Sequence, residues 1–103
     1  VVGAVLPRAD LNIRSEDGFT PLMYAVAKGN AEVVREVLSG GADINLQSNT
    51  GWTALMFAAK DQPTLIETLV GAGADKTLKN QLGQTAYDVA LMFQPPSATL
   101  LAQ

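Results

Sequence analysis

The sequence predicts an all-α protein made of stacked helix-turn-helix units joined by hairpin-like loops. The segment GFTPLMYA at positions 18–25 recurs as GWTALMFA at 51–58 and, less completely, as GQTAYDVA at 83–90. The leading glycines are 33 and then 32 residues apart, and a second marker with the same spacing ends at Asp10, Asp43 and Asp75. A period in this range indicates a solenoid of small repeated units rather than one closed globule.

The composition excludes several classes of site. The chain has 103 residues, of which 48% are hydrophobic, as expected for one small folded domain. It contains no cysteine, which excludes disulfides and thiolate metal sites. It contains no histidine, so the commonest general base is absent, and we expect no cofactor. The net charge of −3 is spread along the chain without a basic run, so neither nucleic acid nor an anionic membrane is an expected partner.

The first complete unit is predicted to contain two helices. Thr20 and Pro21 favour a helix start, because the hydroxyl caps free amide hydrogens and proline suits the first helical position. The apolar run 22–27 continues this helix to a Lys-Gly-Asn break, and a second helix is predicted over 31–39. Gly40-Gly41 end the second helix, and a polar, turn-rich link leads to the next unit.

The second and third units follow the same plan with a shorter turn. Thr53 is predicted to begin a helix that ends near Lys60, and Pro63 opens the next helix. Pro95 follows Pro63 by 32 residues, so the third unit has the same shortened turn. Because one helix pair cannot bury its apolar side alone, the units are expected to stack on one another.

These residues resemble the ankyrin repeat. Its motif combines a glycine, a Thr-Pro-Leu helix start, a Val- and Leu-rich second helix and a Gly-Ala-Asp-x-Asn loop, all of which occur within residues 18–45. The similarity covers about residues 8–103 and implies an ankyrin repeat solenoid. It divides one domain into a partial N-terminal repeat (1–16), two repeats (17–49 and 50–81) and a C-terminal capping repeat (82–103).

Three departures from the motif change the expectations. The motif's histidine, which normally ties neighbouring loops together, is replaced by Met23, Met56 and Asp88, so cohesion between repeats is expected to depend more on apolar packing. The first unit has no Thr-Pro helix, so we expect either that the chain begins in the middle of an array or that its start was removed. The last unit resembles family C-terminal caps, although its second helix, from about Ser97, is short.

The resemblance also implies a binding surface formed by the loop tips and the outer side of each first helix. The residue after each repeat glycine lies there: Phe19, Trp52 and then Gln84. Two such aromatics are expected side by side, about 10 Å apart at the spacing of packed helices, and large aromatics dominate interface hot spots. The alternative is that they only cover their own loops. The predicted rim consists of Arg14, Glu16, Asp17, Lys28, Gln47, Asn49, Thr50, Lys60, Lys79 and Gln81.

Other recurring residues have structural explanations. Asp10, Asp43 and Asp75 fall where a turn follows a helix end, and short carboxylates favour such turns. Tyr24 and Phe57 recur at positions that are expected to lie in the core. None of these residues is therefore assigned a catalytic or ligand-binding role.

The function that the resemblance favours is a non-catalytic protein–protein interaction module, an adaptor, scaffold or inhibitor that is monomeric by itself and binds another protein. No enzyme activity is expected, because the sequence lacks histidine, cysteine, a phosphate loop and a convergent carboxylate pair. The alternative is a regulatory or ligand-sensing segment of a larger enzyme or channel, in which Trp52 with Lys60 or Lys79 grips a small anion. A cytoplasmic location is the default expectation, and a secreted or periplasmic one stays open.

Deletion of residues 83–103 is expected to cause aggregation or unfolding. Roughly three units are close to the minimum for a stable array, and removal of the last unit exposes the apolar side of its neighbour. Light scattering together with a circular dichroism melt would detect this outcome. A monomeric truncated chain that melts cooperatively would contradict the expectation.

Overall fold

The described part of the chain forms three consecutive helical units, and each begins with a helix of eight residues. The computed structural model describes residues 14–101, except for the side chain of Leu100. No β-strand occurs within this range, so the all-α prediction is confirmed for it. Most of the predicted partial repeat (1–16), including Asp10, lies outside the described residues. The elements in order are α1 (Pro21–Lys28), α2 (Ala31–Ser39), α3 (Ala54–Asp61), a 3-10 turn (Pro63–Leu65), α4 (Ile66–Gly71), α5 (Ala86–Phe93) and a 3-10 helix (Pro95–Leu100).

A threonine caps the N-terminus of each first helix, as predicted. The hydroxyl groups of Thr20, Thr53 and Thr85 accept hydrogen bonds from the backbone N–H three residues later, at 3.2–3.3 Å. In the third unit the carboxylate of Asp88 also accepts from the backbone N–H of Thr85, at 3.1 Å. This reciprocal pair is a capping box. Asp88 therefore stabilises the start of its own helix at the position where the family motif has histidine.

The second helices differ more between units than the repeat suggests. The helix α2 has the predicted bounds, whereas the second and third units open their second helix with a 3-10 turn at Pro63 and Pro95. In the third unit the backbone N–H of Ser97 bonds to the carbonyl of Gln94, at 2.9 Å, which is the three-residue spacing of a 3-10 helix. The helix that was predicted from about Ser97 is thus a 3-10 helix that begins two residues earlier.

The core is a stack in which α3 packs against both α1 and α5. Methionines replace the motif's histidine in the first two units, and both Met23 and Met56 are fully buried. Apolar side chains of the second helices, such as Val34, Ile66 and Leu69, have no exposed surface. Burial of side chains of this size contributes about 1.5–3 kcal/mol each, so packing between units supplies much of the stabilisation of the array.

Neighbouring loops are also joined by hydrogen bonds, so the expectation of cohesion mainly through apolar packing was incomplete. The backbone N–H of Asn49 donates to the carbonyl of Asp17, at 3.0 Å, and that of Gln81 donates to Thr50, at 2.9 Å. The side-chain amides of the same two residues donate to the carbonyls of Glu16 and Asn49, both at 2.7 Å. Amide side chains therefore connect the loops in place of the missing histidine.

A second series of bonds lies at the turns between the helices. The side-chain amide of Gln62 donates to the carbonyl of Ala27, at 3.5 Å, and that of Gln94 donates to Lys60, at 3.3 Å. Both glutamines immediately follow a first helix and both acceptors lie near the end of the first helix of the preceding unit. The units are consequently tied together at two levels, the loops and the turns.

Two glycines allow successive loops to approach closely. Gly18 and Gly51 have φ of +81° and +84°, and a Cβ on them would lie 2.7 Å from the backbone nitrogen of Asn49 and 2.8 Å from the Cα of Asn80. Gly83 has nearly the same φ, +78°, yet such a Cβ would meet nothing within 4 Å among the described residues. Gly18 and Gly51 are required by both backbone conformation and space, and Gly83 by conformation alone.

Gly51→Ala is expected to destabilise the protein more than Gly83→Ala. Both variants place a Cβ on a left-handed residue, which costs roughly 1–2 kcal/mol. Only the Cβ of Gly51→Ala also collides with the backbone of the following loop. Urea unfolding of both variants would compare their midpoints, and equal losses would contradict the close loop contact.

Candidate protein-binding surface

Four aromatic rings form a continuous row across the first two units. The ring of Phe19 lies 5.4 Å from that of Tyr24 and 5.2 Å from that of Phe57, centroid to centroid. Phe57 in turn lies 5.1 Å from Trp52. These separations fall within the range of favourable aromatic pairs. We call Tyr24, Phe19, Phe57 and Trp52 the aromatic strip.

The loops hold Phe19 and Trp52 in equivalent ways. The backbone of Phe19 exchanges two hydrogen bonds with Ser15, one to the hydroxyl and one between backbone groups, at 3.2 and 2.9 Å. Trp52 makes the same pair with Ser48, at 3.2 and 2.8 Å. Each aromatic therefore sits on a tight turn just before a helix cap. The two predicted aromatics do occupy matching places, but the ring of Phe57 contacts both of them.

The prediction that Tyr24 lies in the core was wrong. Its side chain is 47% exposed, and Phe57, at the matching position, is only partly buried. In α1 the buried residues are Leu22, Met23, Ala25 and Val26, a pattern that leaves position 24 on the outer side of the helix. The sequence carries no clear signal of this exposure, because Tyr24 is flanked by apolar residues on both sides.

The exposed apolar surface continues onto the third unit through α5. The ammonium group of Lys60 lies 5.6 Å from the ring centroid of Phe93, a cation–π distance. Met92 is 62% exposed, and its sulfur accepts a hydrogen bond from the side-chain amide of Gln84, at 3.0 Å. Sequence reasoning missed Met92 and Phe93, because the corresponding residues of the second unit, Lys60 and Asp61, are charged.

The predicted rim residues divide into two groups. Four of them form hydrogen bonds between neighbouring loops. The guanidinium of Arg14 donates to the carbonyl of Gln47, and the side-chain amide of Gln47 donates to the carbonyl of Lys79, at 2.9 Å. The side-chain amides of Asn49 and Gln81 form the bonds described above. These four have a structural role. The other rim residues, apart from the partly buried Lys60, are exposed: Glu16, Asp17, Lys28, Thr50 and Lys79.

The two recurring aspartates within the described residues, Asp43 and Asp75, stabilise turns as predicted. The carboxylate of Asp43 accepts from the backbone N–H of Asn45, at 2.9 Å, and that of Asp75 accepts from Thr77, at 2.8 Å. The hydroxyl and the backbone N–H of Thr77 both lower the pKa of Asp75 below its ordinary value. Within residues 14–101 no group of acidic side chains is arranged to hold a metal ion.

No helix in the described part of the chain is both long and apolar enough to span a membrane.

Phe57→Ala is expected to shift the fluorescence emission of Trp52 to longer wavelength. Trp52 is the only tryptophan of the chain, and loss of the ring 5.1 Å away admits water to the indole. Phe93→Ala is the control, because it removes an aromatic ring that packs against Lys60, whereas the ring that packs against Trp52 is that of Phe57. An unchanged spectrum in Phe57→Ala would show that Phe57 does not shield Trp52.

Comparison with known proteins agrees with this architecture. The family model for ankyrin repeats, which comprises three copies of the repeat, matches residues 1–80 of the 103. No curated protein shows significant sequence similarity to the chain. Members of this family generally act as protein–protein interaction modules. The matched range, the repeated Thr-capped helices and the loops that stack over left-handed glycines together establish that the chain belongs to the ankyrin repeat family.

Proposed function

We propose that the chain is a non-catalytic module that docks a protein partner through the aromatic strip. The observation that supports this most directly is the unbroken series of ring contacts from Tyr24 to Trp52 on the outer side of two adjacent units. Tyr24 is 47% exposed although it belongs to a packed row, so it offers a large apolar surface to a partner. Tyrosine and tryptophan are the residues most enriched among interface hot spots.

The strip is well suited to binding because its rings are already held in place. Phe19 and Trp52 are fixed by their backbone bonds to Ser15 and Ser48, and Phe57 extends from a helix whose other side is fully buried. Rigid aromatic side chains lose little conformational entropy when they bind. Little of the binding free energy is therefore lost to ordering the side chains of the strip.

The charges around the strip favour a protein partner over a polyanion. Glu16 and Asp17 are acidic and Lys28 and Lys79 are basic, and all four are exposed. The ammonium group of Lys60 lies 3.8 Å from the carboxylate of Asp61, and because solvent reaches both side chains this ion pair contributes little stability. A rim of mixed sign around an apolar centre is the usual composition of a protein interface.

The biological role within this class is an adaptor, a scaffold or an inhibitor that occludes its target. The second candidate is a regulatory or ligand-sensing segment of a larger enzyme or channel. Its small-anion version required Trp52 beside Lys60 or Lys79. The ammonium of Lys60 instead lies over Phe93, which favours the protein-binding function.

Tyr24→Ala is expected to weaken capture of the partner by at least about 30-fold, the scale of a hot-spot residue. The immobilised chain would retain proteins from a native extract, and mass spectrometry would compare the wild type with the variant. The dissociation constant of the purified partner would then be measured by calorimetry. Because Tyr24 is exposed, the thermal melt of the variant should stay close to that of the wild type.

Val33→Ala is the matched control. Val33 is also apolar and is 38% exposed, but it lies on α2, the second helix of its unit, and is not part of the aromatic strip. We expect it to retain the partner at wild-type affinity. Equal binding by Tyr24→Ala, Val33→Ala and the wild type would overturn the assignment of the strip as the docking surface.

A further inference from the structure

Of the three methionines of the chain, only Met92 has an accessible side chain. Met92 is 62% exposed, whereas Met23 and Met56 are each 1% exposed. The chain has no cysteine, so these three thioethers are its only sulfur groups. Because the susceptibility of sulfur to oxidants follows its exposure, a hydroperoxide that meets the folded protein reaches Met92 alone among them.

The exposure of Met92 comes from its position on the outer side of α5. By the spacing of the repeats Met92 corresponds to Ala27 in α1 and to Lys60 in α3. Ala27 is exposed, and the side chain of Lys60 is 41% exposed, although the helix of a following unit packs against each of these helices. The same position is therefore accessible in every unit, whether or not a neighbour follows.

A series of amide hydrogen bonds holds one donor against the sulfur of Met92. The side-chain N–H of Gln84 donates to the sulfur, at 3.0 Å. The Oε1 atom of Gln84 accepts from the side-chain amide of Asn80, at 3.0 Å, which determines the orientation of the Gln84 amide. The Oδ1 atom of Asn80 accepts from the backbone N–H groups of Leu82 and Gln84, at 2.9 and 3.1 Å, and Asn80 is 5% exposed. The donor is thus held in place by a buried residue.

A thioether sulfur has two lone pairs, and oxygen transfer to one or to the other gives opposite epimers of the sulfoxide. In this step a lone pair of the sulfur attacks the distal oxygen of the hydroperoxide, the sulfur–oxygen bond forms and the O–O bond breaks. The sulfur is oxidised, and the leaving oxygen takes the proton of the transferred oxygen to give water or an alcohol. Because the N–H of Gln84 occupies one lone pair, the peroxide reaches the other.

We propose that Met92 is a site of stereoselective oxidation to the sulfoxide by hydroperoxides, and that Gln84 is the positioning residue that selects the epimer. Oxygen enters at an exposed side chain, while the buried Met23 and Met56 stay reduced. The reaction places a polar S=O group on the exposed apolar surface of α5 and leaves the core unchanged. Reductases that are specific for each epimer reverse such a modification.

Brief treatment of the folded chain with hydrogen peroxide, followed by peptide mass spectrometry, tests the selectivity. We expect Met92 to gain an oxygen atom at least about 20-fold faster than Met23 and Met56, since oxidation of a buried side chain requires opening of the array. The same treatment in urea should oxidise all three at similar rates, and Met92→Leu should remove the fast phase. Equal rates at the three methionines of the folded chain would overturn the proposal.

Reductases specific for the S and the R epimer measure the stereoselectivity, because each acts on one epimer of the oxidised peptide. In the wild type we expect roughly a threefold or larger excess of one epimer, as a hydrogen bond of ordinary net strength gives. Gln84→Glu is the matched variant, since its carboxylate retains the shape and the bond from Asn80 but cannot donate to the sulfur. Its epimer ratio should fall to about one, like that of the wild type oxidised in urea.

Two results would contradict the role of Gln84: equal amounts of the epimers in the folded wild type, or an unchanged excess in Gln84→Glu. A circular dichroism melt shows whether the variant is folded. If Gln84→Glu does not fold, Gln84→Ala, which also removes the donor, takes its place. A role of Gln84 in stability alone would move the melt and leave the epimer ratio of the folded chain as it is.

Discussion

The contact between successive units is the constraint on which the rest of the structure depends. A pair of short helices has too little buried surface to be stable alone, so each unit must present an apolar side to its neighbour. The loops determine how closely the neighbours approach. At Gly18 and Gly51 the next loop passes within 2.6–2.9 Å of the place of a Cβ, which only glycine permits. The spacing of the helices, and with it the alignment of the surface rings, follows from this approach.

Cohesion and the proposed recognition use different side chains of the same loops. Amide side chains such as Asn49 and Gln81 face the neighbouring loop and hold the array together. The aromatics Phe19 and Trp52 come from the same turns but meet rings of the first helices. Substitutions in the first group are therefore expected to act on folding, and those at the exposed end of the second group on the proposed binding. Because these two roles fall on different side chains, repeats of the same length can present different surface residues and still pack against their neighbours.

Local chemistry made much of the fold predictable from the sequence. Threonine caps, glycine stops and the 33- and 32-residue spacing gave the helix order and the bounds of α2 because each depends on residues close in the chain. The exposure of Tyr24 was missed because a short helix that is apolar over most of its circumference does not reveal which residue faces outward. The roles of Gln47, Asn49 and Gln81 were missed because their partners lie 32 or 33 residues away. Such hydrogen bonds form only when the units stack, so the residues near each amide in the chain do not indicate its partner.

The contact between Phe19 and Phe57 joins two units, and this has a thermodynamic consequence. The rings lie 5.2 Å apart across the boundary, so the aromatic strip exists only while those units are stacked. A ligand that spans the strip binds the stacked state and not the separated one, and by mass action it must shift the equilibrium toward the folded array. Occupancy and folding are then linked in this short chain. A partner bound to the strip would serve as an additional neighbour, and the amount of folded protein would depend on the partner's concentration.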